Sequence, residues 1–227
     1  MGKSNIEMKK IKLLTFFTNS HKNLYEKYFI PSYDEHLKND FTLIVSHYKQ
    51  VCAQASYDTP GFGETMIGKI EHIIENITIT DDSPLIFADC DIQFFSNFRE
   101  DIINELGEFD IKFQDDIVCV CAGFFICKQN QKILSFFNDI LTTLKTTVKN
   151  GMDDQKLINH FLKTNKHPIK HGKLSAEKYF TVASVNGAKQ WTGSDFIIPN
   201  TILVHHGNWT VGIENKFKIL EYVKNKR

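Results

Sequence analysis

LIFADCDIQFF (Leu85–Phe95) is the stretch that decides how the rest of the chain is read. Its first four residues, Leu85 to Ala88, have the length and apolar character of a buried strand, and a pair of carboxylates, Asp89 and Asp91, stands at the end of it. An unpaired charge in an apolar setting costs several kcal/mol, so the pair needs a cation, a set of donors or open solvent. In an open α/β sheet, ligands gather beyond the carboxyl ends of the strands. Two side chains two residues apart on extended backbone point to the same side, so both carboxylates can reach one ligand set. Hard oxygen ligands suit Mg²⁺ or Mn²⁺, which keep open positions for phosphate oxygens. The pair therefore reads as a site for a metal and a diphosphate. The competing reading is a solvated turn after a strand.

Outward from this stretch, apolar strand-like runs alternate with helical patterns, which predicts an α/β fold with a mixed central sheet flanked by helices. KIKLLTFFTN (Lys10 to Asn19) reads as a first strand running into a loop, followed by a helix from about Asn23 that is interrupted or restarted at Pro31. FTLIVS (Phe41 to Ser46) is a second strand, and Tyr48 to Gly63 a polar loop. From Glu64, the residues Met66, Ile67, Ile70, Ile73, Ile74 and Ile77 recur at helical spacing, which puts Lys69 on or near the polar flank of a one-faced helix. Asp81-Asp82-Ser83-Pro84 is a turn cluster. FDIKF (Phe109 to Phe113) and IVCVCAGFFIC (Ile117 to Cys127) are strands, the second apolar enough to be central. Helices follow at about 131–149 and 153–163. Phe196 to Pro199 and Ile202 to Trp209 are short strands or turns before a last helix.

The chain has 227 residues, 42% hydrophobic and 24% charged, with no Pro/Gly/Ser-rich linker, which fits one globular unit with a nucleotide-binding half at about 1–95 and a second half at about 96–227. The 27 basic residues balance 27 acidic ones, so no global field steers the chain to nucleic acid or an anionic membrane. Leu13 to Phe17 is too short for a signal-peptide core or a transmembrane segment, and a soluble cytoplasmic protein is expected. Met1-Gly2 is not read as a myristoylation signal, because Asn5-Ile6 stands where a Ser or Thr is usual. Cys52, Cys90, Cys119, Cys121 and Cys127 are odd in number, four of them in apolar runs, and read as reduced thiols; no second Cys/His pair supports zinc. Asn76-Ile77-Thr78 and Asn208-Trp209-Thr210 fit the glycosylation sequon, which matters only in a secreted chain.

The order strand, Asp-x-Asp, CAGFFICK (Cys121 to Lys128), GMDDQKLINHF (Gly151 to Phe161) and HHGNWTVGIENK (His205 to Lys216) resembles nucleotide-diphospho-sugar glycosyltransferases of the glycosyltransferase-A fold. It is most similar to a retaining group that includes plant cell-wall xylosyl- and arabinosyltransferases. The resemblance runs from the first strand to His206. It implies an enzyme that uses a nucleotide diphosphate sugar, UDP-linked by expectation, with Mn²⁺ or Mg²⁺ as cofactor. Asp89 corresponds to the residue that contacts the ribose and approaches the metal, and Asp91 to a metal ligand. His206 corresponds to the histidine that completes the metal set, with His205 as its rival. An imidazole beside carboxylates favours Mn²⁺.

The same resemblance gives Lys216 to the diphosphate, Lys69 to the nucleotide, and Thr18 and Asn19 to the base and ribose. Asp154 and Gln155 match the Asp-Gln element that approaches the donor sugar, while Asp153 caps the helix by its position. Asp115 and Asp116 resemble a second acidic element for sugar or acceptor, with an exposed turn as the competing reading. For each lysine the competing role is a solvated helix residue; for Asp154, a helix cap. Family members commonly have Asn-Ser-Gly where this chain has Cys121-Ala122-Gly123, so polar sugar contacts there are reduced, and Gly123 keeps the close backbone approach. Cys90 reads as packing. Trp191 and Trp209 can stack on a sugar, although packing is the commoner role. No catalytic base is assigned.

Three rivals stand beside this reading. An Asp-x-Asp phosphatase is disfavoured by the motif's position and by Ile92-Gln93 after it, and a sugar-nucleotide pyrophosphorylase by the lack of glycine in Thr18-Asn19-Ser20-His21. A non-catalytic sugar-nucleotide or glycan-binding module predicts binding without turnover. The acceptor, whether glycan, lipid, protein or small molecule, has no readable code in the loops 48–63 and 166–192.

Overall fold

The computed structural model describes residues 9–227, so Gly2, weighed above as an acylation site, lies outside the described residues. Strand β1 (Ile11–Thr18) runs into a continuous helical stretch, α1 (residues 19–36), and returns as β2 (Phe41–Tyr48). Pro31 does not break α1. The stretch passes through a π-helical turn over Tyr25–Phe29 and resumes as regular helix at Ile30, where proline's missing N–H falls in the first turn. Next come α2 (Phe62–Asn76), β3 (Leu85–Ala88), β4 (Ile92–Phe94) and α3 (Arg99–Leu106). β5 (Ile111–Asp115), β6 (Val120–Cys127), α4 (Gln131–Thr147) and α5 (Asp154–Lys163) follow, then β7 (His171–Lys173), β8 (Tyr179–Thr181), α6 (Ala183–Asn186), β9 (Val204–His206) and α7 (Ile213–Lys226).

The strands form a six-stranded mixed sheet in the order β2-β1-β3-β6-β5-β7 and a small three-stranded sheet, β4-β9-β8. β1 and β3 are parallel, and β6 lies antiparallel to both β3 and β5. Every residue of β3 and β6 is buried, because both faces of the large sheet are covered. Alternation distributes them. Leu85, Phe87 and Phe125 face α2 and α4 with Ile70, Ile73 and Phe137, whereas Ile86, Ala88 and Phe124 face Phe29, Phe98 and Tyr179. α7 closes a third cluster, in which Ile219 and Leu220 meet Leu24 and Tyr28.

Two turns explain where elements begin. Gly61 precedes α2 at φ +87°, and a Cβ there would lie 2.7 Å from the Val51 carbonyl carbon, so only glycine fits. The strand expected from Ile117 starts instead at Val120. Ile117 N–H donates to the Asp115 carboxylate at 2.8 Å, and Ile117 adopts φ +66°, which turns the chain before β6 can begin. Phe196 to Pro199 forms no strand, and in Ile202 to Trp209 only Val204–His206 is extended. Among the described residues no helix is long and apolar enough to cross a membrane. At the start of α4 the Asn130 side chain accepts from Ile133 N–H at 3.0 Å. Asn130→Ala is expected to cost about 1 kcal/mol, a fall in Tm of about 2–4 °C, checked by thermal melting; an unchanged Tm would contradict the cap's role.

Candidate active site

The site is assembled by backbone pairing around the carboxyl end of β3. Asp89 N–H donates to Gly123 O at 2.7 Å, which sets the first carboxylate against β6. Immediately after Asp91 the chain enters β4, whose Ile92 pairs with His206 of β9, and Gly207 N–H donates to Asp91 O at 2.9 Å. A histidine distant in sequence is thereby held beside the Asp pair. Asp89, Asp91 and His206 each offer one ligand atom, all within 4.8 Å of one another. His206 Nε2 lies 3.3 Å from Asp91 Oδ1 and 3.9 Å from Asp89 Oδ2.

Which nitrogen of His206 faces the carboxylates is fixed from behind. Gln114 Nε2 donates to the carbonyls of Tyr179 (3.2 Å) and Phe180 (3.3 Å), which leaves Gln114 Oε1 to accept from His206 Nδ1 at 2.8 Å. Nε2 is then the atom available to a ligand. Burial disfavours the imidazolium, but Asp91 and Cys121 outweigh it and push the His206 pKa up to about 10. A cation bound here takes the place of that proton. His205, on the opposite face of β9, is fully buried against the Gln93 amide (3.0 Å) and points away from the Asp pair. Burial lowers its pKa to about 3. Of the two histidines, His206 is the one that faces the Asp pair.

Lys69 does not lie on a polar flank; its side chain is 3% exposed, and its ammonium bridges Asp89 (3.2 Å) and Asp154 (2.9 Å). Burial opposes the Lys69 charge, and Asp154 and Asp89 together overcome it and raise the pKa. Lys216 reaches the pair from α7, donating to the Asp91 carboxylate and to Gly207 O (3.1 Å). Burial works against the Asp91 anion too, yet Lys216 and His206 hold it well below the usual carboxylate range. Asp89, less tightly partnered, is raised by burial with Lys69 opposing.

The cleft over these groups has a volume of about 520 Å³ and is lined by Thr18, Asp154 and Gln155 as well as the Asp pair. Asn19 is not in its wall; its side chain is engaged by His47 Nε2 at 2.7 Å. Asp153 caps α5 through Lys156 N–H (2.8 Å), as its position predicts. Gln155 accepts from Ala122 N–H (3.0 Å) and donates to Asp116 (3.0 Å). Asp116 also accepts from Asn208 (3.2 Å) and Trp209 Nε1, so it ties three parts of the cleft wall together. Asp115, the last residue of β5, pairs with Lys173 (2.7 Å) and accepts from Ile117 N–H in the turn that follows. Trp191 is buried, its Nε1 donating to Ser194 O, which is the packing role. Cys90 is buried and burial pushes its thiol pKa up, also in keeping with packing.

The residues present suit a divalent cation. Two carboxylates and an imidazole form a mixed O/N donor set, and Gly123 leaves the space in front of them clear: a Cβ there would stand 2.5 Å from Asp89 Oδ2 and 3.1 Å from His206 Nε2.

No protein-family model matches this sequence and no curated protein matches it. Solved structures do. The chain is similar to the glycosyltransferase GlyE of Streptococcus pneumoniae, with a TM-score of 0.60 and 14% identity over 96% of this chain and 64% of that one. It is similar to the galactosyltransferase LgtC in complex with donor and acceptor sugar analogues, with a TM-score of 0.56 and 10% identity over 86% of each chain. A glycosyltransferase involved in glycosylation of the major capsid of PBCV-1 aligns over 94% of this chain and all of that one, with a TM-score of 0.61 and 9% identity. The fold is the glycosyltransferase-A fold.

Within this glycosyltransferase-A fold, sequence reasoning passed over two residues that shape the site. Gln114 carried a signal, a lone amide in the strand IKFQD, but its partner His206 is 92 residues away. His21 lines the cleft, hydrogen-bonded through Nδ1 to Ser20 Oγ at 2.9 Å, and burial with Lys216 nearby lowers its pKa to about 4. Gln114→Ala is expected to weaken Mn²⁺ binding by about 10–100-fold, while Gln114→Glu, which keeps the acceptor, restores most of it. Calorimetric titration with MnCl₂ checks this, and equal affinity in wild type and Gln114→Ala would refute it.

Proposed function

We propose that the protein is a metal-dependent glycosyltransferase that takes a sugar from a nucleotide diphosphate donor, UDP-linked, and passes it to an acceptor with retention of anomeric configuration. The observation that carries this reading is the convergence of Asp89, Asp91 and His206 Nε2 on one point, flanked by Lys69 and Lys216, at the floor of a cleft. The bond from the anomeric carbon to the diphosphate oxygen breaks, a bond from that carbon to an acceptor oxygen forms, and the acceptor proton passes to the leaving diphosphate by front-face attack. A bound divalent cation, Mn²⁺ by the imidazole in the set, supplies Lewis-acid stabilisation of the leaving oxygens.

The chain's own residues do the rest in this reading. Asp89, Asp91 and His206 hold the cation, Lys216 meets the diphosphate, and Lys69 keeps Asp89 and Asp154 in place. Asp154 and Gln155 approach the donor sugar and offset the positive charge that develops on it. Thr18 borders the nucleotide. Residues 1–95 would form the nucleotide half and 96–227 the sugar and acceptor half. The five free cysteines support a reducing, cytoplasmic compartment. The donor and acceptor analogues bound to LgtC support a cleft that admits both substrates at once.

The test is incubation with a panel of sugar nucleotides in Mn²⁺ or EDTA, measuring nucleoside diphosphate release. Metal-dependent release supports the proposal. Release that persists in EDTA removes the metal role, binding without turnover in the presence of acceptors favours a binding module, and orthophosphate release from simple phosphomonoesters favours a phosphatase.

A further inference from the structure

Lys69 and Lys216 are both cations of the cleft, but they are held differently. Lys69 is almost wholly buried between two carboxylates and lies 4.8 Å from the centre of the Phe87 ring, so moving it would strand Asp89 and Asp154 together. Lys216 has one carboxylate, Asp91, and one carbonyl, and its side chain is 19% exposed. Its ammonium engages Asp91 Oδ2, while His206 Nε2 faces Asp91 Oδ1 at 3.3 Å. Both oxygens of Asp91 are thus claimed by donors of the chain itself. A divalent cation gains the full use of Asp91 only when Lys216 leaves it.

We infer that Lys216 is a mobile counter-ion that makes cation binding at Asp91 and diphosphate binding by Lys216 a single coupled event. The inference rests on the metal-dependent reading above. Three carboxylates (Asp89, Asp91, Asp154) face two ammoniums (Lys69, Lys216) and the His206 imidazole, whose place against Asp91 a bound cation takes. A divalent cation alone leaves this cluster with one positive charge in excess and Lys216 without a counter-ion. A nucleoside diphosphate arriving with it brings compensating charge and several acceptor oxygens for the released ammonium. Each ligand then raises the affinity of the other by the same factor, roughly 10–100-fold, the worth of one charge-assisted hydrogen bond.

Replacing Lys216 consequently has opposite effects on the two ligands. Without the competing ammonium, Mn²⁺ alone binds more tightly; without the gripping ammonium, UDP binds more weakly. A lysine that only gripped diphosphate would leave Mn²⁺ binding unchanged in the absence of UDP.

The experiment is calorimetric titration of MnCl₂ into wild type, Lys216→Met and Lys216→Gln, each with and without UDP, with thermal melts to show that the variants fold. In wild type, UDP is expected to tighten Mn²⁺ binding by about 10–100-fold. In both variants Mn²⁺ alone is expected to bind about tenfold or more tightly than in wild type, and UDP to add about tenfold less than it adds in wild type. The inference is overturned if UDP tightens Mn²⁺ binding as much in both variants as in wild type, or if neither variant gains affinity for Mn²⁺ alone. The two readings fail separately. Loss of Mn²⁺ binding in Asp91→Asn without any gain in the Lys216 variants leaves the metal site standing and removes only the coupling. Mn²⁺ that binds no form of the protein, with or without UDP, removes both.

Discussion

Asp91→Asn is expected to lower Mn²⁺-dependent nucleoside diphosphate release by roughly a thousandfold, the upper end of what one removed electrostatic contact costs at a reacting centre. The asparagine is the same size, so packing around β3 and β4 is kept and only the charge changes. That charge serves Lys216 and His206 Nε2 in the metal-free protein and the proposed cation once one binds. Loss of the buried pair also affects stability, but Lys216 is partly exposed and can turn to solvent, which confines the penalty to about 1–3 kcal/mol. Catalysis should therefore fail in a protein that still folds. Circular dichroism and a thermal melt check the fold, and release assays at saturating Mn²⁺ check the activity. Turnover within tenfold of wild type would show that Asp91 holds no catalytic cation.

The contrast between Asp91 and Lys69 shows what was legible in the residues. LIFA followed by Asp-x-Asp announced a buried strand and a charged end, because four consecutive apolar residues and two carboxylates are strong local signals. VCAGFFIC was equally plain as a central strand, and the isoleucines of α2 marked a one-faced helix. Lys69 was misplaced because it was read by residue type. Its position, three after Met66 and four before Ile73, lies on the buried face of α2, and the carboxylates that make burial tolerable come from β3 and α5. No local pattern contains that information. The same holds for Gln114, whose function depends on His206 and on the carbonyls of β8. β7 and β8, three residues each, are too short to show any period. The pairing of β4 with β9, which brings His206 to Asp91, was implied only by the order of motifs.

Gly123→Ala is expected to weaken cation binding strongly while leaving the fold intact, and the reason lies in what surrounds that one hydrogen. Gly123 sits in the buried strand β6, where its carbonyl accepts from Asp89 N–H at 2.7 Å and ties its backbone to the carboxylate it faces. An added methyl would overlap the His206 ring and stand 2.5 Å from Asp89 Oδ2. Both side chains must yield, and the His206 ring is the nearer of the two. Asp89, 31% exposed at the cleft floor, can swing away, whereas His206 is buried and tethered through Nδ1 to Gln114 and can only tilt against that tether. The stability cost is expected near the 1–3 kcal/mol typical of an overpacked site. The consequence for the donor set is larger, since the carboxylate that moves is one of its three members. Mn²⁺ affinity should fall by about a hundredfold or more and release of nucleoside diphosphate with it. A calorimetric titration beside a thermal melt separates the two effects. Wild-type Mn²⁺ affinity in a folded Gly123→Ala protein would mean that the cation does not lie between Asp89 and His206. The pairing of a small loss of stability with a large loss of binding distinguishes a glycine kept for the site from one kept for the backbone, as Gly61 is, where a Cβ would meet main chain that cannot move aside.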